Sequence, residues 1–318
     1  MHKMSHFEII KCHGSGNDFI LIDTTKREEL QGVDWSAFAR EACDRECGIG
    51  SDGLLLVVRG EDGRYGMDML NPDGTHAEMC GNGMRAVARY CHEQGYIAKE
   101  GVLTSGGRCF AVGEVSPVGY DIATYSVDIA ITTHGSAFAM IAPGKSMVGE
   151  VIEKLDPTLR FTALNLGNPH IVACVDSIDM SLLQSLGERV LTLKDIFPEG
   201  VNISLYEVLA KDHIFVATYE RGAGITLSCG TAMTASATAA AMLGYTERGE
   251  RTAVTNRGGR VFCTPRIEEH SIVTRLEGNA TFEWWGEASF GEGEFSFMRL
   301  RDTGEQHTWQ RFVTEINR

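Results

Sequence analysis

Apolar and polar positions alternate along the chain in two rhythms. HFEIIKC, DFILID, GLLLVVR, YGMDMLN and HIVACVD carry apolar residues in short blocks or at alternate positions, which predicts strands buried on one or both faces. WSAFAREACDREC and GMRAVARYCHEQ return to an apolar residue every three or four positions instead, which predicts helices. Gly, Asn and Asp punctuate the runs, and 36 glycines against 7 prolines imply many tight turns and few rigid linkers. This is the pattern of a mixed α/β chain, and no low-complexity segment marks a domain boundary.

Repetition supplies the organisation that composition does not. GNDFILID at 16–23 recurs as GNPHIVACVD at 167–176, with Asn17 and Asn168 separated by 151. GSDGLLLV at 50–57 is followed in the second half by GVNISLYEV at 200–208. CGNGMRAVARY at 80–90 then returns as CGTAMTASATAA at 229–240, with Cys80 and Cys229 separated by 149. Three ordered landmarks at nearly constant offset indicate two copies of one fold.

Length and charge narrow the setting. A chain of 318 residues exceeds what one core usually organises, so two domains of about 150 residues each are expected. The formal net charge of -14 would repel a phosphate backbone or an anionic membrane, which leaves a small polar ligand as the expected partner and excludes nucleic acid and membrane. The opening MHKMSHFEIIKCHGSGND lacks the apolar run of a signal peptide, and no segment approaches the roughly 18 apolar residues of a membrane span, so the expected location is the cytoplasm. The 9 cysteines form no CxxC pair, which argues for reduced thiols rather than a disulfide framework or a zinc ribbon. Cys43 and Cys47 are spaced to share one helix face, but two thiols do not complete a tetrahedral zinc site, so no metal is expected.

The candidate chemistry lies where each Cys-Gly opens a helix. Met84, Val87, Ala88 and Cys91 follow helical spacing after Cys80, and an Ala-rich run to Leu243 does so after Cys229. A helix N-terminus has unpaired amides and a positive dipole end, which favour an anion and lower a thiol pKa. Glycines at 81, 83 and 230 let a ligand carboxylate approach those amides. Asn71 stands nine residues before Cys80 and Glu220 nine before Cys229, so side chains able to accept from an ammonium occupy matching places. A lone cysteine before glycine is ordinarily packing. Two in matching halves suit proton transfer at one carbon. A thiolate takes a proton from the tetrahedral centre while a thiol delivers one to the opposite face, inverting the centre without pyridoxal phosphate.

HGSGNDFILID at 13–23, NPDGT and MCGNGMR within 71–85, LGNPHIV at 166–172, GVNIS at 200–204, YERGAGITLSCGTA at 219–232 and GNATF at 278–282 resemble, in order, the motifs of the diaminopimelate epimerase family. These are cofactor-independent enzymes that interconvert LL- and meso-diaminopimelate in lysine and cell-wall precursor synthesis. The resemblance implies two pseudo-symmetric α/β domains, each a sheet wrapped around a central helix: 1–131 with about 284–318 carrying Cys80, and 132–283 carrying Cys229, the site between them. It makes Cys80 and Cys229 the catalytic acid/bases, with His170 in support. Asn17, Asn71, Asn168, Asn202, Glu220 and Arg221 become substrate contacts, Arg221 by a bidentate grip on a distal carboxylate. The amides of Gly81, Asn82, Gly230 and Thr231 become the carboxylate cradle. A homodimer is among the implied assemblies.

The chain departs from the commoner motif at Ala86, where many members have a second cysteine, at Ala232 in CGTAMT, and at Ile225, where many have Glu. These leave substrate choice open between diaminopimelate and another amino acid, histidine or lanthionine, on the same fold. Proline-racemase-like proteins share the two-cysteine logic but typically place histidine where this chain has Asn82. A thiol redox protein or an amino-acid-binding module is the reading from a different class.

Overall fold

The computed structural model describes residues 4–77, 79–291 and 294–316. Positions 1–3, 78, 292–293 and 317–318 of the first expected domain lie outside the described residues. The chain divides into two compact units, one running to Val127 and resuming over Gly278–Ile316, the other Asp128–Glu277.

In the first unit β1 (Ser5–Gly14) and β2 (Asn17–Asp23) form an antiparallel hairpin. Its two-residue loop puts Ser15 at φ 56° and Gly16 at φ 80°, the left-handed pair that a tight hairpin needs to match strand twist. A 3-10 turn at Glu28–Gly32 and α1 (Trp35–Ala42) then cross over to β3 (Gly53–Arg59), parallel to β2. β4 (Tyr65–Leu70) and β5 (His76–Ala77) follow as antiparallel neighbours, and α2 (Gly81–Glu93) comes next. β6 (Glu100–Ser105) is parallel to β4, and β7 (Arg108–Val115) and β8 (Thr124–Ile131) continue antiparallel.

The second unit repeats this scheme. β9 (Glu150–Ile152) borders β10 (Asp156–Asn165), which makes a hairpin with β11 (Pro169–Cys174). α3 (Met180–Thr192) crosses over to β12 (Asn202–Ala210), parallel to β11. β13 (His213–Glu220) and β14 (Gly224–Thr226) lead to α4 (Gly230–Met242), and β15 (Thr252–Asn256), parallel to β13, continues through β16 (Gly259–Ile267) into β17 (Ile272–Asn279). The two sequence copies thus carry the same strand pairings, and α2 and α4 are both 13 residues long.

The tail returns to the first unit. β18 (Thr281–Gly291) pairs with β1, β19 (Glu294–Asp302) pairs with β18, and α5 (Glu305–Ile316) follows. Arg89 of α2 fastens it: its guanidinium meets Glu305 at 2.6 and 2.7 Å, donates to the Ala280 carbonyl and lies over the Phe282 ring. Such a forked grip on a largely buried Arg offsets the cost of removing its charge from water.

Each central helix is enclosed by its own unit. α2 packs against β1, β2, β3, β4 and β7, and α4 against β11, β12, β13, β15 and β16. Residues 81–91 of α2 and 230–241 of α4 are all buried. The small residues of α4 let the surrounding strands approach, and its Thr234 and Thr238 hydroxyls donate back to the carbonyls of Gly230 and Thr234, 2.8 and 2.7 Å away.

One expected helix is shorter than its periodicity suggests. WSAFAREACDREC is helical only over Trp35–Ala42, with Cys43 as its C-cap, buried, and Cys47 exposed in a turn. Asp44 stops it: its carboxylate accepts the amides of Glu46 and Cys47 at 2.8 and 2.7 Å, drawing the backbone away from the helical ladder. Cys43 and Cys47 therefore share no helix face.

Phe38 of α1 is fully buried, with the rings of Phe7, Trp35, Phe290 and Phe295 around it edge-on at 5.3 to 5.7 Å. Phe38→Ala should lower stability by about 3–5 kcal/mol in denaturant unfolding, whereas Phe297→Ala, at a ring 42% exposed, should change it by less than about 1 kcal/mol.

Candidate active site

In the first unit Cys80 is the N-cap of α2, its backbone extended at φ -134° and ψ 114°. Its sulfur accepts the Gly83 amide at 3.5 Å and donates to Asn17 Oδ1 at 3.6 Å. Met84 is the first residue whose amide reaches an intrahelical carbonyl, that of Cys80, so the Gly81 and Asn82 amides have no partner within the helix. Close packing brings the β1–β2 hairpin here: a Cβ on Gly14 would lie 2.8 Å from the Arg85 guanidinium and 3.1 Å from Asn82 Cα. Only glycine lets that strand pass so near the first turn of the helix.

Asn17 is at the start of β2, and its Nδ2 donates to Asp52 at 2.8 Å. Asn82 is buried and donates to Asn17 Oδ1 at 3.2 Å, while its own Oδ1 accepts from Arg85 at 2.9 Å. Asn71 follows β4 directly and donates to Thr75 Oγ1 at 3.0 Å, which turns its carboxamide oxygen away from that bond. Its place in the fold matches that of Glu220: Leu70 pairs with Leu54 as Tyr219 pairs with Ile203.

In the second unit Cys229 is the N-cap of α4 at φ -126° and ψ 111°, and its sulfur makes no cap hydrogen bond. It lies 3.4 Å from the Thr231 hydroxyl. That hydroxyl also meets His170 Nε2 at 3.1 Å and Asn168 Nδ2 at 3.3 Å. Because Asn168 Oδ1 accepts at His170 Nε2, 3.1 Å away, the imidazole carries its proton there, and among the described residues Nδ1 has no hydrogen-bond partner. Burial, reinforced by the charge of Arg221, lowers the His170 pKa to about 3, so the ring is neutral. Burial and then the Glu220 carboxylate push the Cys229 thiol well above its ordinary value, against the opposing Thr231 hydroxyl and Ala232 amide. At neutral pH Cys229 is a thiol.

The remaining residues are positioned around these. Glu220, at the end of β13, accepts the Thr226 hydroxyl at 2.6 Å. Asn202 is buried and accepts the Arg221 amide at 2.9 Å, while the Arg221 guanidinium donates to the Glu199 carbonyl at 2.9 Å. The Gly230 and Thr231 amides precede Met233, the first to bond the Cys229 carbonyl. Ala86 and Ala232 are fully buried and pack; Ile225, on β14 opposite Tyr219, is exposed.

Asp52, Asp18, Arg45, Arg85 and Asn279 escaped the sequence reading. Asp52 had a usable signal, since it stands two residues after Gly50 as Asn202 stands two after Gly200. Asn279 had none. It accepts the Ser15 amide at 2.7 Å and donates to His13 Nδ1 at 3.2 Å across 266 residues of chain. The His13 Nε2 proton then goes to Gln306 of α5 at 2.7 Å, and burial lowers this histidine's pKa to about 4.

A family model described as diaminopimelate epimerase matches residues 9–115 and 162–283. Proteins named diaminopimelate epimerase are similar along almost the whole chain. That of Listeria innocua is 36% identical, covering 98% of each chain, and that of Enterococcus faecalis 35% identical, covering 96% of this chain and 98% of its own. Among solved structures, a PhzF-family phenazine biosynthesis protein of Bacillus anthracis superposes with TM-score 0.63 at 14% identity, covering 89% of this chain and 99% of its own. A hydroxyproline epimerase of Agrobacterium vitis reaches 0.60 at 13% identity, covering 94% and 93%. At such identities the structures establish the shared fold alone.

Two measurements test the electrostatics. Glu220→Gln removes a charge that disfavours the Cys229 thiolate, so the pH midpoint of alkylation at Cys229, followed on its peptide by mass spectrometry, should move down. A neutral buried histidine costs stability in acid, because the unfolded ring takes up a proton near pH 6.5 and the folded one does not. The contribution of His170 is intact above that pH and is lost as pH falls toward its folded value. His170→Asn should therefore flatten the decline of unfolding free energy between about pH 6.5 and pH 4.

Proposed function

The chain belongs to the diaminopimelate epimerase family and is an isomerase, and from that premise we propose that Cys80 and Cys229 invert one α-carbon of diaminopimelate, interconverting its LL and meso forms. The observation that carries this reading is the repeated cysteine: in each unit it is the N-cap of an enclosed helix, beside amides with no partner in that helix.

The chemistry balances with protons alone. A Cys80 thiolate takes the α-hydrogen as a proton, and the electron pair of the C–H bond spreads onto the substrate carboxylate. The first-turn amides of Gly81, Asn82, Gly230 and Thr231 would stabilise that charge as it grows. The Cys229 thiol gives its proton to the opposite face of the same carbon. The product leaves Cys80 as thiol and Cys229 as thiolate, ready for the reverse direction. Protonated Cys229, held so by burial and Glu220, supports this order for one direction of turnover.

The polar side chains would place the substrate around that carbon. Asn17, Asn71, Asn168 and Asn202 offer amide groups, Glu220 an acceptor for an ammonium, and Arg221 a cation for a distal carboxylate. His170 would support Cys229 through Thr231, to which both are joined. The two thiols perform both proton steps in this scheme, so it calls on no pyridoxal phosphate. The same reading includes a cytoplasmic location, a homodimer and a role in lysine and cell-wall precursor synthesis. A net charge of -14 supports leaving nucleic acid out of it.

Incubation in heavy water tests the proposal. LL-diaminopimelate should gain deuterium at one α-carbon without added cofactor, and Cys80→Ala or Cys229→Ala should reduce inversion by at least about a hundredfold. Full inversion by either variant would overturn the two-thiol reading. Faster exchange on histidine or lanthionine than on diaminopimelate would move the substrate assignment, with Ile225 as the first residue to exchange for Glu.

A further inference from the structure

We propose that Asp52 and Arg85 are positioning residues that fix which face of the Asn17 carboxamide Cys80 meets, and thereby set how strong a base Cys80 is. The inference rests on Cys80 being one of the two acid/bases.

The direction of the hydrogen bonds carries it. Arg85 is fully buried, and a guanidinium only donates. Its bond at 2.9 Å to Asn82 obliges that carboxamide to offer oxygen toward Arg85, and so nitrogen toward Asn17. At the other end stands the Asp52 carboxylate, which only accepts. Its bond at 2.8 Å obliges Asn17 to offer nitrogen toward Asp52, and so oxygen toward Asn82 and Cys80. The two ends agree, so the chain from Arg85 through Asn82 and Asn17 to Asp52 runs one way only, and neither amide can flip without setting like against like. Cys80 joins it as a second donor to Asn17 Oδ1.

Asp52 is itself held. Arg45 bridges it to Asp18 at 2.7 and 2.8 Å, Lys11 pairs with Asp18 at 2.5 Å, and the Asp18 amide donates to Asp52 at 3.2 Å. The charged groups of this network are thus Lys11 on β1, Asp18 on β2, Arg45 and Asp52 between α1 and β3, and Arg85 on α2.

The consequence for Cys80 follows from which form is bonded. An acceptor facing the sulfur stabilises the thiol, which is the state Cys80 reaches after taking the α-proton. The thiolate is correspondingly the stronger base toward a weakly acidic C–H. An amide turned the other way would donate to the thiolate, and the sulfur would ionise sooner and abstract less readily.

Asp52→Asn is the test, since Asp52 is 44% exposed at its side chain and the fold does not depend on burying it. The readout is iodoacetamide labelling of Cys80, quantified on its peptide across pH. We expect the midpoint to move down by about one unit and to stay there in about 1 M salt, where screening reaches only about 3 Å. The plateau of epimerisation should fall about tenfold while its low-pH limb moves down with the labelling midpoint. Asp52→Glu, again acceptor-only, should bring the midpoint back toward that of the parent. An unmoved midpoint in Asp52→Asn, a shift erased by salt, or no recovery in Asp52→Glu would overturn the proposal. Labelling needs no turnover, so a protein inactive on diaminopimelate would end the functional reading and leave this result legible.

Discussion

A helix enclosed along nearly its whole length admits polar chemistry chiefly at its ends, and the structure depends on that constraint. α2 and α4 spend their sides on packing, by small residues in α4 and by internally bonded arginines in α2. Their first amides cannot be satisfied within the helix. Both helices place cysteine at that point, where an anionic group is favoured by the amides and by the dipole. The strands around each helix then determine what else can reach it.

The two units solve the same geometric problem with different chemistry. Around Cys80 the partners are carboxamides in a directed chain that ends on charged groups. Around Cys229 they are a hydroxyl, a neutral imidazole and a carboxylate. A backbone repeated by duplication allows the side chains to diverge while the N-cap stays. Under the proposed two-thiol inversion such divergence is suitable, because the two faces of the carbon are not equivalent and the two sulfurs need not have equal proton affinities.

The tail links stability to the candidate site residues of the first unit. Glu305 binds Arg89 of α2, and Gln306 binds the His13 imidazole, whose other nitrogen accepts the Gly16 amide beside Asn17. The hairpin that presents Asn17 is thus braced by a helix formed from the last part of the chain. Burial lowers the His13 pKa, so the imidazole in this brace is neutral and keeps a single ring proton, the one given to Gln306.

Local structure and duplication were legible in the sequence, because both arise within a few residues. GLLLVVR is β3 over Gly53–Arg59, and GMRAVARYCHEQ lies in α2 but for its last residue. The Cys-Gly pairs sit where the helical periodicity begins, which marked the N-caps. Asp44 was a local signal too, a capping side chain inside a helical rhythm. The domain edges left no composition signal because the chain passes between units within β8 and β17, not through a linker. Only the tertiary structure decided how the site's amides face and which charges hold them. Asn17 takes its direction from Asp52, 35 residues away, and His13 its tautomer from Gln306, 293 away. A hydrogen bond's direction is a property of both partners at once, and partners so distant along the chain are chosen by the fold.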